Sequence, residues 1–294
     1  MRKLSTALLG LALAGSALIQ TQAADLVVGG KNFTEQQILA SMTSQYLEAH
    51  GYDIDTRAGM GTAVLRQAQE NGQVDLYWEY TGTSLINFNN VSERLDPEET
   101  YQRVKALDAE KGLVWLEPSA ANNTYALAMR ADDAAERGIQ SLSDLATAVS
   151  NGENVSFALN AEFYARDDGW RPMLEAYGFE VARGDVRRMD SGLVYQALRD
   201  GQVDVGLVFA TDGRIPAFNF HVLEDDEAYF PAYALTPVLR NEKLAEFPEL
   251  EAQLNALSAL LDDLTMATLN AKVDVDGETI EQVAENFLRE HDLL

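Results

Sequence analysis

The segment QAQENGQVD at residues 67–75 recurs as QALRDGQVD at residues 196–204. The two copies lie 129 positions apart and share six of their nine residues. Each copy has the pattern of a helix end, a glycine turn and the start of a strand. The chain is therefore predicted to contain two lobes of similar construction, with a chance repeat of a common helix–Gly–strand turn as the alternative.

An extension of this register pairs Thr62 with Ser191 and, past the following strand, Tyr80 with Phe209. Each lobe thus has an aromatic residue just beyond the carboxyl end of a strand. Open α/β sheets bind their ligands at that place. We therefore expect a ligand site to which both lobes contribute a ring.

Strand and helix patterns alternate around the first copy of the repeat. Residues 34–37 (TEQQ) are predicted to form a capping box that opens a helix ending at Gly51. The surrounding order is β-α-β-α-β, typical of a mostly parallel sheet with helices on both faces. The predicted elements are a strand at 26–28, the helix from 34, a strand at 52–57, a helix at 62–70 and a strand at 74–77.

The second half of the chain has a similar order. Strands are predicted at 155–159, near 186 and at 203–208, and helices within 171–177 and at 191–199. Residues 241–294 are predicted to be helical, with a leucine stripe that faces the core. The stripe consists of Leu250, Leu254, Leu257, Leu260, Leu261 and Leu264. The predicted fold class is α/β, with two lobes that each contain a mostly parallel sheet flanked by helices.

The composition excludes several functions. The 294 residues carry 22 Lys and Arg against 47 Asp and Glu, a net charge of −25, which would repel the phosphates of nucleic acid. There is no cysteine and there are three separated histidines, which excludes cysteine nucleophiles, thiolate zinc sites and His-cluster metal sites. A calcium or magnesium site made of carboxylates alone stays open, although we predict no metal and no cofactor.

The N-terminus is predicted to be a secretory signal peptide, residues 1–23, cleaved near Ala23. Two basic residues precede a short apolar run at 7–19, and small residues occupy the positions before the cleavage site. A membrane anchor is the alternative, but the run is short for a bilayer span. Because no cysteine is available for lipid attachment, we expect a soluble periplasmic protein.

Six short motifs are spread along the mature chain, between residues 28 and 226. They are VGGKNFTEQ at 28–36, EYTGT at 79–83, NNTYA at 122–126, MDSGL at 189–193, TDGR at 211–214 and VLEDD at 222–226. In this order they resemble the substrate-binding proteins of ABC importers for glycine betaine, choline and related quaternary amines. The resemblance implies a two-lobed periplasmic-binding-protein fold with the ligand in the cleft between the lobes. It also implies that residues 24–127 together with 236–294 form the first lobe, and residues 128–235 the second.

The family that the chain resembles encloses a trimethylammonium group in a box of aromatic rings. The positions of that box carry over to Tyr80, Tyr125, Phe209 and Tyr233. A quaternary ammonium has no N–H to donate, so ring faces select it through their quadrupoles, at about 1–2 kcal/mol each when desolvated. Phe209 stands where tyrosine is usual, which keeps the ring and removes one hydroxyl.

For a ligand carboxylate, the resemblance points to Lys31 and Thr83 of the first lobe and to Arg166 of the second. Cations from both lobes would bridge the cleft only when it is closed, which gives the ligand a higher affinity for the closed form. Asn123 is predicted to present its carbonyl near the cation of the ligand.

These features predict a periplasmic ABC-importer component that captures a quaternary ammonium osmoprotectant, with glycine betaine as the first candidate. Choline, carnitine and proline betaine are alternatives within the same class. The alternative from another class is a secreted hydrolase, which needs two carboxylates facing each other in the cleft. The expected partners are the small ligand and a membrane permease, and we expect a monomer without enzymatic activity.

Overall fold

The structure is a computed structural model, and it describes residues 24–294. The predicted signal peptide, residues 1–23, lies outside the described residues. The first sheet contains five strands in the order β2-β1-β3-β10-β4. Its elements are β1 (Leu26–Lys31), α1 (Thr34–Ala49), β2 (Ile54–Met60), α2 (Thr62–Glu70), β3 (Leu76–Tyr80), α3 (Thr81–Thr83), a π-helical turn (Ser84–Phe88), α4 (Pro97–Ala109) and β4 (Leu113–Trp115).

The second sheet also has five strands, in the order β7-β6-β8-β5-β9. Its elements are β5 (Tyr125–Arg130), α5 (Ala131–Arg137), α6 (Leu142–Ser150), β6 (Phe157–Leu159), α7 (Ala161–Ala165), α8 (Trp170–Ala176), a 3₁₀ turn (Arg183–Asp185), β7 (Val186–Arg188), α9 (Ser191–Arg199), β8 (Val205–Phe209), α10 (Arg214–Ala217) and β9 (Phe220–Val222). The chain then returns to the first sheet through β10 (Leu235–Arg240) and ends with α11 (Asn241–Glu246), α12 (Leu250–Ser258), α13 (Asp263–Asp274) and α14 (Ile280–Glu290).

The two sheets share one topology, which confirms the predicted α/β fold of two similar lobes. In the first sheet β1 lies between two parallel partners, β2 and β3, and in the second sheet β6 lies between two parallel partners, β7 and β8. In each sheet one further strand pairs antiparallel with both of its neighbours. In the first sheet β10 lies between β3 and β4, and in the second β5 lies between β8 and β9. Parallel strands joined by helices expose their carboxyl ends along one edge, where a site can form.

The sequence repeat has a structural basis in both lobes. Gly72 and Gly201 adopt left-handed backbone conformations, with φ of 73° and 68°, which glycine tolerates best. The carboxylate of Asp75 accepts a hydrogen bond from the backbone of Val27 at 2.9 Å, and that of Asp204 accepts one from the backbone of Ser156 at 2.7 Å. Each aspartate therefore fixes the start of the neighbouring strand in its own lobe.

The lobe boundaries stay a prediction, and sheet membership supports a shift of the first one. The predicted division after residue 127 would fall inside β5, yet the whole of β5 pairs within the second sheet. A division before Tyr125 fits this pairing better. The return to the first sheet at Leu235 agrees with the predicted 236 to one residue.

Several local predictions differ from the structure. Phe33, not Thr34, is the N-cap of α1, and the Thr34 hydroxyl instead donates to Asp274 at 2.8 Å, so the predicted capping box is wrong. The strands predicted at 52–57, 74–77, 155–159 and 203–208 each begin two residues later than predicted, at Ile54, Leu76, Phe157 and Val205. Leu264 is 76% exposed and does not belong to the core-facing leucine stripe.

Candidate functional site

A cavity of about 30 Å³ lies between the lobes, at the carboxyl ends of β1, β3 and β8. It is lined by seven of the eight residues predicted to contact a ligand: Lys31, Tyr80, Thr83, Asn123, Tyr125, Phe209 and Tyr233. The eighth, Arg166, lies just behind it and contacts both Thr83 and the Tyr125 ring. The structure thus brings the predicted residues together, although they come from both lobes and from the segments that connect the lobes.

A larger cavity, of about 700 Å³, lies elsewhere in the described chain. It is an open groove beside β9, lined among others by Arg94, Tyr229 and Phe230, and it shares only Tyr125 with the smaller cavity. The smaller cavity is the better candidate, because it lies where the strand ends of both lobes meet.

The ends of the strands position the rings of the smaller cavity. Tyr80 is the last residue of β3 and Phe209 the last of β8, as the repeat predicts. Tyr125 opens β5 directly opposite Phe209 in the antiparallel ladder, and the two ring centroids lie 5.3 Å apart. Tyr233, just before β10, meets Tyr125 edge-on at 5.6 Å and 89°.

Phe33 is a fifth ring, which the sequence analysis missed. It stacks on Phe209 with centroids 5.3 Å apart and planes 9° from parallel, and it lies 6.3 Å from Tyr80. Phe33 lies two residues after the end of β1, within the motif at 28–36, and this position could have indicated that it belongs to the site. We call Phe33, Tyr80, Tyr125, Phe209 and Tyr233 the ring cage.

Two tyrosines of the ring cage donate their hydroxyls to buried carboxylates. Tyr80 donates to Glu35 at 2.7 Å, and Tyr233 donates to Asp168 at 2.6 Å. A hydrogen bond from a phenol to a carboxylate polarises the ring toward negative charge. Both rings therefore become better partners for a cation.

Glu35 is the second residue that the sequence analysis missed, because it was assigned to the capping box. Its side chain is 3% exposed and also accepts hydrogen bonds from Asn123 at 2.8 Å, from Asn270 at 3.2 Å and from the Thr211 hydroxyl. Burial raises the pKa of Glu35, and these hydrogen bonds offset only part of that effect. The Asn123 side chain thus faces Glu35, while its predicted role toward a cation stays a prediction.

Lys31 lies beside the cage and is already paired. Its ammonium is 2.5 Å from Glu79 and 4.8 Å from the centroid of Tyr80, and both charged side chains are buried. The Tyr77 hydroxyl donates to the second oxygen of Glu79 at 2.8 Å. Glu79 therefore occupies one of the hydrogen-bonding directions of Lys31, and the contact of Lys31 with a ligand carboxylate stays a prediction.

Arg166 is paired in the same way. Its guanidinium makes a two-pronged contact with Asp168, both distances being 2.6 Å, and it donates to the Thr83 hydroxyl of the other lobe at 3.2 Å. Burial would raise the pKa of Asp168, but the hydrogen bonds from Arg166 hold it below its usual range. Arg166 therefore bridges the cleft through Thr83.

Other contacts also join the lobes across the cleft. The Thr62 hydroxyl donates to Glu162 at 3.0 Å, and the Asn87 amide donates to Asp168 at 3.1 Å. These contacts hold the lobes in a closed arrangement around the ring cage. Between residues 24 and 294, no group of three or more His, Cys, Asp or Glu is arranged to hold a metal ion.

Two lobes of equal topology that close on a ring-lined cleft define the class of two-lobed solute-binding proteins. The chain belongs, more narrowly, to the family described as the substrate-binding domain of the ABC-type glycine betaine transport system, whose model matches residues 24–290. The resemblance seen in the sequence is thereby confirmed. The protein is a substrate-binding component of glycine betaine, carnitine or choline ABC transport, and no comparison supports the hydrolase alternative.

Individual relatives agree with this assignment. The glycine-betaine-binding protein of Pseudomonas aeruginosa is 48% identical over 300 residues, which cover 100% of this chain and 95% of the relative. Glycine betaine-binding protein YehZ of Escherichia coli is 32% identical over 287 residues, 95% of this chain and 94% of the relative. A solved structure described as a glycine betaine/carnitine/choline ABC transporter is 28% identical, with a TM-score of 0.74 over 91% of this chain and 99% of that one.

The family also bears on compartment and partner. Binding proteins of ABC importers are periplasmic or extracellular, and they deliver their ligand to a membrane permease. Across residues 24–294, no helix has both the length and the apolar character that a bilayer crossing requires.

Proposed function

We propose that the ring cage binds a small quaternary ammonium compound, with glycine betaine as the preferred ligand, and that the cage widens to admit it, because a cavity of about 30 Å³ is too small for a trimethylammonium group. The observation that carries this proposal is the convergence of all five rings on one cavity between the lobes. The relative from Pseudomonas aeruginosa, a glycine-betaine-binding protein with 48% identity, supports this choice of ligand.

The physical basis of selection is the attraction between a cation and ring faces. Each desolvated face contributes about 1–2 kcal/mol, and a trimethylammonium group can touch several faces at once. Glu35 lies behind one of the rings and adds negative potential there when it is ionised. A primary amine held against the ring faces would instead lose hydrogen bonds to water, which ring faces do not replace.

For the betaine carboxylate we propose Lys31 and Thr83 as direct contacts, because both line the cavity. An ammonium has three N–H donors, and Glu79 accepts from one of those of Lys31. Arg166 lies behind the lining, so we assign it a positioning role through its hydrogen bond to Thr83.

Choline is the second candidate, and a specific observation favours it. Both cleft cations, Lys31 and Arg166, are already neutralised by Glu79 and Asp168. Glu35 then adds further negative charge next to the cage whenever it is ionised. Such a site suits a ligand with net positive charge better than a zwitterion.

Calorimetric titration with glycine betaine, choline, carnitine, proline betaine and proline tests the ligand class. We expect the quaternary amines to bind and proline to bind much more weakly. Tyr80→Ala and Tyr233→Ala should each weaken binding about tenfold, since each removes one desolvated ring. Wild-type affinity in both variants would refute the ring cage.

A double variant separates the two candidate ligands. Lys31→Met combined with Glu79→Gln removes the buried pair without leaving a single buried charge. If betaine is the ligand and Lys31 holds its carboxylate, betaine affinity falls while choline affinity does not. Lys105→Met, a lysine outside the cleft that lies over the Tyr101 ring, is the matched control and should change neither.

We further propose that the mature protein is a periplasmic monomer, released by cleavage near Ala23, and that it carries out no covalent chemistry. The acidic composition and the absence of cysteine in the sequence support a soluble, unlipidated protein. Mass spectrometry of the protein purified from the periplasm would give the cleavage site, and sedimentation would give the oligomeric state.

A further inference from the structure

The identical residues of the repeat divide into two groups. Four pairs have a role inside their own lobe: the glycine turns, the aspartates that fix strand starts, the buried alanines Ala68 and Ala197, and the buried valines Val74 and Val203. The other two pairs are exposed glutamines. Gln73 and Gln202 lie in the turns, whereas Gln67 and Gln196 lie at the same position of α2 and α9.

A pair of exposed aliphatic side chains accompanies these glutamines. Val64 is 61% exposed and Leu193 is 48% exposed, and they too are 129 positions apart. Each lies one helical turn before its glutamine, so the two side chains share one face of the helix. From these residues onward, α2 and α9 alternate between buried and exposed positions in the same way. A single exposed aliphatic residue needs no explanation, but the same aliphatic–glutamine pair on both lobes does.

Both pairs flank the cleft. The first residues of the two helices, Thr62 and Ser191, line the cavity that holds the ring cage. Thr62 also bonds Glu162 of the other lobe, which places the start of α2 at the line where the lobes meet. The distance between the Val64–Gln67 pair and the Leu193–Gln196 pair therefore depends on whether the lobes are open or closed.

We propose that Val64 with Gln67 and Leu193 with Gln196 form a two-part docking surface for the membrane permease of the importer. The inference relies on the family's partnership with a permease. One contact repeated on two similar lobes fits a partner with two equivalent subunits or halves, because equivalent surfaces then meet equivalent surfaces. The contact is uncharged in a chain of net charge −25, as expected for the core of an interface, from which charges are depleted.

This arrangement gives the permease a way to recognise the closed form. Because one face lies on each lobe, both engage at once only at the separation that matches the partner. A protein whose lobes are apart presents the same residues at a different spacing and binds through one face alone. Docking and ligand capture are thereby coupled without any contact between permease and ligand.

Reconstitution with the cognate permease and ATPase in proteoliposomes tests the surface. The readout is the binding-protein concentration that half-saturates ligand-stimulated ATP hydrolysis. Val64→Ser with Gln67→Ala, and Leu193→Ser with Gln196→Ala, should each raise it several-fold, and the combined variant at least tenfold. Leu264→Ser, which changes an aliphatic residue of α13 that is 76% exposed, is the control and should leave it unchanged.

Ligand affinity measured by calorimetry keeps the two proposals apart. The docking variants should bind the ligand as the wild type does, because none of the four residues belongs to the ring cage. Wild-type half-saturation in the combined variant would overturn the docking surface and leave the ligand site intact. A wild-type protein that binds no quaternary amine would overturn the ligand proposal instead.

Cross-linking provides a readout that needs no ligand-stimulated activity. The chain has no cysteine, so Val64→Cys and Leu193→Cys each place one thiol on one lobe for a thiol-specific photocross-linker. We expect both to form products that mass spectrometry identifies as permease, while Leu264→Cys forms none. Products from only one of the two positions would overturn docking through both lobes.

Discussion

At the scale of single residues, Phe33 belongs to the ring cage although the sequence repeat does not identify it. The repeat that identifies Tyr80 and Phe209 pairs position 33 with Glu162, so the repeat does not mark Phe33 as a ring of the site. Its contribution depends on the turn after β1, which lays the ring flat against Phe209. Such stacking between segments far apart in sequence follows only from the folded structure.

Replacement of Phe33 by leucine should weaken ligand binding about tenfold, because the apolar volume is largely kept while one ring face is lost. Calorimetric titration with glycine betaine and choline measures the effect. Phe247→Leu is the control, since this partly buried ring packs on Tyr52 outside the cleft and should leave affinity unchanged. An affinity in Phe33→Leu equal to that of the wild type would remove Phe33 from the cage.

Glu35 makes a pH-dependent contribution to stability. Burial raises the pKa of Glu35 in the folded protein above its value in the unfolded chain, so the folded state favours the protonated form. The stability that this provides is complete below the unfolded pKa of about 4.3 and is lost as pH rises through the folded pKa. Glu35→Gln resembles the protonated form at every pH.

The wild type should therefore lose stability relative to Glu35→Gln as pH rises above the unfolded pKa of about 4.3. Urea unfolding of both proteins at several pH values gives this difference directly. All other titrating groups are common to the two proteins and cancel in the subtraction. A difference that stays constant over the whole range would show that Glu35 has the same pKa folded and unfolded.

At the scale of elements, the periodicity of the sequence identifies most helices and strands, and their order is correct in both lobes. The ends are less well predicted where tertiary contacts decide them. Thr34 bonds Asp274 of α13, a partner 240 positions away, and so takes no part in a local cap. Local patterns carry no information on such distant partners.

The two glycine turns of the repeat offer a matched test of this local structure. Gly201→Ala should reduce the free energy of unfolding by about 1 kcal/mol, because alanine disfavours the left-handed backbone. Gly72→Ala should cost more, since its new Cβ would lie 2.7 Å from the guanidinium of Arg240, which pairs with Asp75. In Gly201→Ala the nearest atoms, those of Arg130, are 4.0 Å away.

Urea unfolding midpoints at constant slope measure both losses. A loss in Gly201→Ala that equals or exceeds that in Gly72→Ala would contradict the assigned role of Arg240. The comparison is internally controlled, because both glycines are followed by the same three residues, Gln-Val-Asp, and have nearly the same φ.

At the scale of the whole molecule, the sequence predicts which residues meet in the cleft better than it predicts their partners. The resemblance points to Lys31 and Arg166 as cleft cations. Their pairing with Glu79 and Asp168 depends on side-chain directions at the meeting of two lobes. In so acidic a chain any cation has many candidate partners, and only the fold selects among them.

The net charge of −25 also acts at this scale. Many of the surplus carboxylates lie on the surface, where their mutual repulsion destabilises the compact state and is screened by salt. The buried pairs, Lys31–Glu79 and Arg166–Asp168, are screened much less.

The free energy of unfolding should therefore rise as sodium chloride increases from about 0.05 M to about 0.5 M. Urea is the denaturant of choice for this measurement because it adds no ions. Stability that stays level or falls with salt would mean that attractive surface pairs outweigh the repulsion.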